Sequence, residues 1–192
     1  MNRDEAVALL HEWVESPGLR NHMLAVEAAV RFYAERMGGD PDVWGLAGLL
    51  HDLDWEKYPE EHPLRAVEEL RGRDCPEEVL HAILAHRPDF TGVAPETPLD
   101  RVLLACDELT GLITATALVR PTGIDDLTPK SVRKKMKDPA FARGVDRADV
   151  ERGAGLLGLE LAEHIQNVIE AMRAIADPLG LTAARIRSAS AG

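Results

Sequence analysis

The sequence predicts an all-α protein, a single-domain helical bundle with a C-terminal helical extension, on three observations. Alternating period-two patterns that would mark strands are essentially absent from the 192 residues. Apolar residues recur instead at spacings of three and four. Prolines follow residues able to cap a helix at Ser16-Pro17, Asp40-Pro41, Thr97-Pro98, Thr128-Pro129 and Asp138-Pro139. A side-chain oxygen at the N-cap satisfies one orphan amide, and proline at the next position omits another that has no partner anyway. Each of these pairs is therefore read as a helix start.

Composition narrows the function classes. Lys plus Arg number 22 against 33 Asp plus Glu, a formal charge of −11. That balance repels nucleic-acid polymers and anionic membranes unless basic groups cluster locally. No apolar run reaches membrane-spanning length, and Met1-Asn2-Arg3-Asp4-Glu5 lacks the apolar core of a secretory signal, so a cytoplasmic protein with no membrane partner is expected. Cys75 and Cys106, without CxxC spacing, read as reduced thiols.

The first helix, residues 4–15, carries Val7, Leu10 and Val14 on one face, with His11 beside them as a surface residue. The second, residues 17–37, has the stripe Leu19, Met23, Val26, Val30, Tyr33 and Met37 and closes at Gly38-Gly39. His22 neighbours Leu19 and Val26 on that helix, so its ring can turn inward. The third, residues 41–51, is apolar along Val43, Leu46, Ala47, Leu49 and Leu50, with Gly45 and Gly48 permitting close approach of a neighbour. It ends in His51-Asp52, an imidazole and a carboxylate that can reach one divalent cation. A polar loop holding Lys57 and His62 leads to a helix over residues 64–71.

Cys75-Pro76 opens the next helix with a poorer cap; Val79, Ala82, Ile83 and Leu84 face the core. It ends in His86-Arg87-Pro88, where the proline stops the helix and lets the His86 ring project. His81 points to another face and is expected to be exposed. The planar fork of Arg87 suits a substrate phosphate and, equally, a surface salt bridge. After a loop over residues 89–96, a long helix over 98–119 holds Asp107 behind Val102, Leu103, Leu104, Ala105 and Cys106. An unpaired carboxylate there is costly, and coordinating a metal resolves the cost. Thr110 and Thr114 share its helical face.

Beyond a turn over residues 121–126 comes the only dense positive run, Lys130, Arg133, Lys134, Lys135 and Lys137. It reads either as a solvated face or as a rim where Lys134 and Lys137 hold a substrate phosphate. An apolar stretch through Leu156, Leu157, Leu159, Leu161, Ile165, Val168, Ile169 and Met172 should pack on the bundle or form a homodimer surface. His164 on it has no ligand context. The expected division is a core over 1–120, C-terminal helices over 121–181 and a frayed tail over 182–192.

His22, the adjacent His51-Asp52 and the later Asp107, in that order, resemble the HD-domain superfamily of metal-dependent phosphohydrolases, over residues 16–115. The resemblance implies an HD-type helical bundle with His22, His51, Asp52 and Asp107 as metal ligands. His62 and His86 resemble the two additional histidines of dinuclear members. Asp52, Lys57 and Asp107 are the implied catalytic residues. Four imidazoles and two carboxylates suit one or two divalent ions such as Mn, Fe, Co, Ni or Zn. The implied reaction is hydrolysis of a small phosphate ester, a nucleotide or a relative, by metal-activated water. The chain departs from the best-known subgroup at Asp54 and Trp55, where that subgroup has Gly and Lys; Lys57 is the candidate replacement. Two alternatives stay open: a mixed-valence di-iron oxygenase of the same type, and a nucleotide-binding domain without turnover.

Overall fold

The computed structural model describes residues 1–190, and among them lie eleven helices and no β-strand. The chain divides between Leu104 and Ala105, inside a helix.

The first unit contains α1 (Arg3–Trp13), α2 (Pro17–Met37), α3 (Pro41–Leu50), α4 (Leu64–Arg71), α5 (Glu77–Ala85), the single turn α6 (Pro88–Thr91) and the start of α7 (Pro98–Leu118). Its caps follow from the sequence: Ser16 Oγ accepts from Leu19 N, and the Asp40 carboxylate from Asp42 N and Val43 N. Gly38, at φ 76°, closes α2 in the left-handed conformation that glycine adopts without steric cost. Asn2 and Glu5 add a capping box at α1. Met37, expected in the apolar stripe, is exposed at the frayed end of α2, and a helical turn occupies the start of the loop expected over 89–96.

α2 and α3 pack backbone to backbone through Gly48. A Cβ there would stand 2.8 Å from both N and Cα of Glu27 and 2.9 Å from the carbonyl carbon of Val26. Neither helix can yield locally, so Gly48→Ala should destabilise the protein by about 3 kcal/mol, read from the urea midpoint. An unchanged midpoint would mean that the helices can slide apart freely. Beside this seam, buried Glu27 receives Arg3 Nε at 2.6 Å and Nη2 at 2.9 Å, tying the start of α1 to α2.

His81 is not the isolated surface residue expected. Its Nδ1 lies 3.1 Å from Oδ2 of Asp100, a fully buried carboxylate. Asp100 accepts from Glu96 N and Thr97 N, while Thr97 Oγ1 accepts from Asp100 N. His81 thus sits against the cap of α7.

The second unit contains the rest of α7, then α8 (Pro129–Met136), α9 (Arg147–Leu156), α10 (Leu161–Ala174) and α11 (Ala183–Ser190). Ile165, Val168, Ile169 and Met172 bury one face of α10. Gly158, at φ 66°, interrupts the apolar stretch between α9 and α10. His164, without a role in the sequence reading, is fully buried and its Nε2 donates to the Ala105 carbonyl at 2.9 Å. Burial holds its pKa below the ordinary histidine range, partly offset by that bond. Residues 183–190, part of the stretch expected to fray, form α11.

Asp138-Pro139 is a correction: it opens a turn, not a helix. Asp138 Oδ1 accepts from Ala140 N at 2.9 Å, and Ala142 takes φ 45°. The carbonyls of Phe141, Ala142 and Val145 accept from the Arg147 guanidinium instead of from a helical ladder. α9 begins later, capped by Asp146. No described helix is long and apolar enough to cross a membrane.

Candidate metal centre

The helix ends of the first unit deliver the chemistry. α3 stops at Leu50, and His51 at its C-cap turns Nδ1 back to the Gly48 carbonyl at 2.9 Å. His86 occupies the same place on α5, with Nδ1 against the Ile83 carbonyl. His62 lies just before α4; its Nδ1 meets Oδ1 of Asp54 at 2.7 Å, and Oδ2 of Asp54 accepts from Ala66 N at 2.8 Å. Carbonyls and carboxylates only accept, so each Nδ1 carries the proton. In each neutral ring Nε2 then presents a lone pair.

These three nitrogens, with that of His22, surround Asp52. Oδ2 of Asp52 lies 3.5 Å from His51 Nε2 and 3.8 Å from His22 Nε2. Oδ1 lies 3.3 Å from His62 Nε2 and 3.9 Å from His86 Nε2. The His62 and His86 nitrogens are 3.1 Å apart, and the His22 and His51 rings stand edge to face at 5.2 Å. His51, His62 and His86 are buried, whereas the side chains of Asp52 and His22 are 15% and 23% exposed, so the centre is approached past these two.

The arrangement fits a cation. Two lone pairs facing each other beside a carboxylate repel unless a proton or a positive ion lies between them. Ligands about 2.1 Å from one ion stand about 3.0 Å apart at a right angle and about 3.4 Å at the tetrahedral angle. The separations of His62 Nε2 from His86 and from Asp52, 3.1 and 3.3 Å, fall in that window. Asp52, His62 and His86 form one group able to hold a metal ion.

The remaining predicted residues have the following surroundings. Lys57 Nζ donates to the Glu12 carbonyl at 3.2 Å and lies 5.0 Å from the Trp13 ring centroid. The C-terminus of α1 offers unsatisfied carbonyls and negative dipole, which attracts the ammonium. Glu56 joins it by accepting from Glu15 N and Ser16 N, so both side chains fasten the loop to the α1–α2 connection. Arg87 places its guanidinium 5.8 Å from the Trp55 ring centroid, and Trp55, itself exposed, stands edge to face with His62 at 5.0 Å. Asp107, Thr110 and Thr114 lie along one face of α7 in the second unit; Asp107 and Thr114 are half-buried. Thr110 Oγ1 donates to the Asp107 carbonyl at 2.8 Å. Lys134 and Lys137 are exposed on α8. His11 is exposed on α1.

Asp54 is the neighbour of the histidine cluster that sequence reasoning missed. It entered only as a departure from a familiar motif, yet it is fully buried and fixes the tautomer and direction of His62. Its one sequence signal is a second acid two positions after Asp52, and nothing in the spacing shows that the chain brings His62 back to it.

Compared with known families, the chain matches the HD domain over residues 19–112. No curated protein sequence matches it.

Proposed function

Residues 19–112 match the HD domain, and from that premise we propose that the chain is a metal-dependent phosphohydrolase acting on a small phosphate ester, a nucleotide or a related compound. The observation that best supports the reading is the division of Asp52, whose two oxygens face different histidine pairs. In this reading His22 and His51 hold one divalent ion, His62 and His86 hold a second, and Asp52 is shared. Asp107 is carried over as a further ligand by its place in the motif order. Divalent ions of the Mn, Fe, Co, Ni or Zn type supply Lewis acidity, neutralising phosphoryl oxygens and lowering the pKa of water.

The residues of the chain do the rest. Gly48, Ile83 and Asp54 keep three buried rings from rotating, so their Nε2 atoms stay aimed without reorganisation during the reaction. Substrate enters on the side where His22 and Asp52 reach solvent. Arg87, whose guanidinium stands against the Trp55 ring, offers its fork to phosphoryl oxygens. The exposed face of Trp55 offers an apolar surface to the remainder of the substrate.

A phosphate-release panel over nucleotide mono- and diesters, run with each metal and with chelator, tests the reading. Metal-dependent turnover that chelation abolishes is expected. Oxygen consumption with iron and no phosphate release would instead select the oxygenase chemistry, and tight nucleotide binding without turnover in any metal a binding domain. The two-ion arrangement has its own check by elemental analysis. His86→Ala or His62→Ala should leave about one ion per chain, because the other pair keeps two imidazoles and the shared carboxylate. A full complement in both variants would remove them from the ligand set.

A further inference from the structure

One feature of the second unit is not used by the histidine cluster. Lys130, Arg133 and Lys134 of α8 and Lys137 at its C-cap fall at positions i, i+3, i+4 and i+7 and therefore share one face. With Pro129 and Ala162 they line a cavity of about 540 Å³. All four are exposed, and among the described residues none is in an ion pair. Lys135, on the same helix, turns instead to the Phe141 ring, 4.5 Å from its centroid. Elsewhere arginines of this acidic chain find carboxylates, as Arg65, Arg120 and Arg185 do.

The helix dipole favours Arg133 and Lys134 in the last turn, but other local terms run against such a face. Like charges at i+3 and i+4 destabilise a helix by a few tenths of a kcal/mol each. Lys130, in the first turn, also opposes the helix dipole, and α8 contains no acid to relieve it. An anion received in the cavity reverses each of these terms.

We infer that this cavity is a binding site for a compact polyphosphate group, and that it works without the His/Asp cluster. Seven residues of helix span about 10 Å, a row of cations suited to several linked phosphates more than to one. The chain's charge of −11 disfavours an extended polyanion, whose outlying charges would meet repulsion. Pro129 and Ala162 give the cavity an apolar floor.

The test is calorimetric titration of the metal-free full-length chain with inorganic tripolyphosphate, at low and at physiological salt. One saturable site that weakens with salt is expected. The double variant Lys134→Glu, Lys137→Glu should weaken binding at least about tenfold. Lys134→Glu should weaken it more than Lys135→Glu, which changes net charge equally but lies beside Phe141. Asp52→Ala should bind as the wild type does. The inference is overturned by absent or non-saturable binding, or by equal effects of Lys134→Glu and Lys135→Glu. It is overturned too by orthophosphate binding as tightly as tripolyphosphate, by tighter binding of poly-glutamate or oligonucleotide, or by loss of binding in Asp52→Ala.

Discussion

In the proposed phosphohydrolase, alanine at position 52 is expected to empty the metal centre and to lower phosphate release by on the order of 10³-fold or more. Asp52 is set against all four imidazoles, so in the proposed centre its loss removes a ligand from both pairs at once. It also removes the negative charge that offsets the ions. Asp52→Asn keeps the shape but not the charge and should fall nearly as far. The fold should survive, because the Asp52 carboxylate is part-exposed and faces imidazoles rather than the apolar core. Melting temperature with and without added metal makes the distinction. The wild type should gain stability from metal by linkage, about 2.7 kcal/mol at a hundredfold excess over Kd, and the variant should gain little. Full activity, or an unchanged metal content, would remove Asp52 from the centre.

Asp54→Ala should give the second-largest effect, through two losses. His62 Nδ1 and Ala66 N would be left without their acceptor in a buried position, a cost of about 3 kcal/mol. The His62 ring would be free to rotate or change tautomer, and loss of such a partner weakens metal binding about 10- to 100-fold. Asp54→Asn should fall between, since its amide retains one accepting oxygen for two donors. Denaturant unfolding and metal titration separate the two losses, and the ring nitrogen shifts of His62 report the tautomer directly. Wild-type metal affinity and unchanged His62 shifts in Asp54→Ala would show that the ring is held by packing alone.

How much was legible in the sequence depended on how local the physics was. Ser16-Pro17, Asp40-Pro41 and Thr128-Pro129 begin helices because capping is settled within four residues. The same signature misled at Asp138-Pro139, where a side chain eight residues on takes the carbonyls a helix would need. The His22, His51-Asp52, His62 and His86 positions were singled out by their order along the chain, with His51 and His86 also marked as helix ends, and the structure brings these five together. The contact of Lys57 with the end of α1 was not readable, because that partner is remote in sequence. Asp54 was unreadable for the same reason: its meaning lies in His62 and Ala66, and only the folded loop makes them neighbours.

The stretch between Asp52 and His62 looks by composition like an ordinary surface connection, the kind of segment that varies freely in length. Its fastenings say otherwise. Asp54 holds His62 and the first turn of α4, Glu56 holds the backbone before α2, and Lys57 holds the end of α1. Each staple fixes a distance along the chain, so one residue added or removed would pull at least one ligand out of position. This loop therefore has the length tolerance of a core element, and the freedom to diverge falls instead to segments such as the one between α6 and α7.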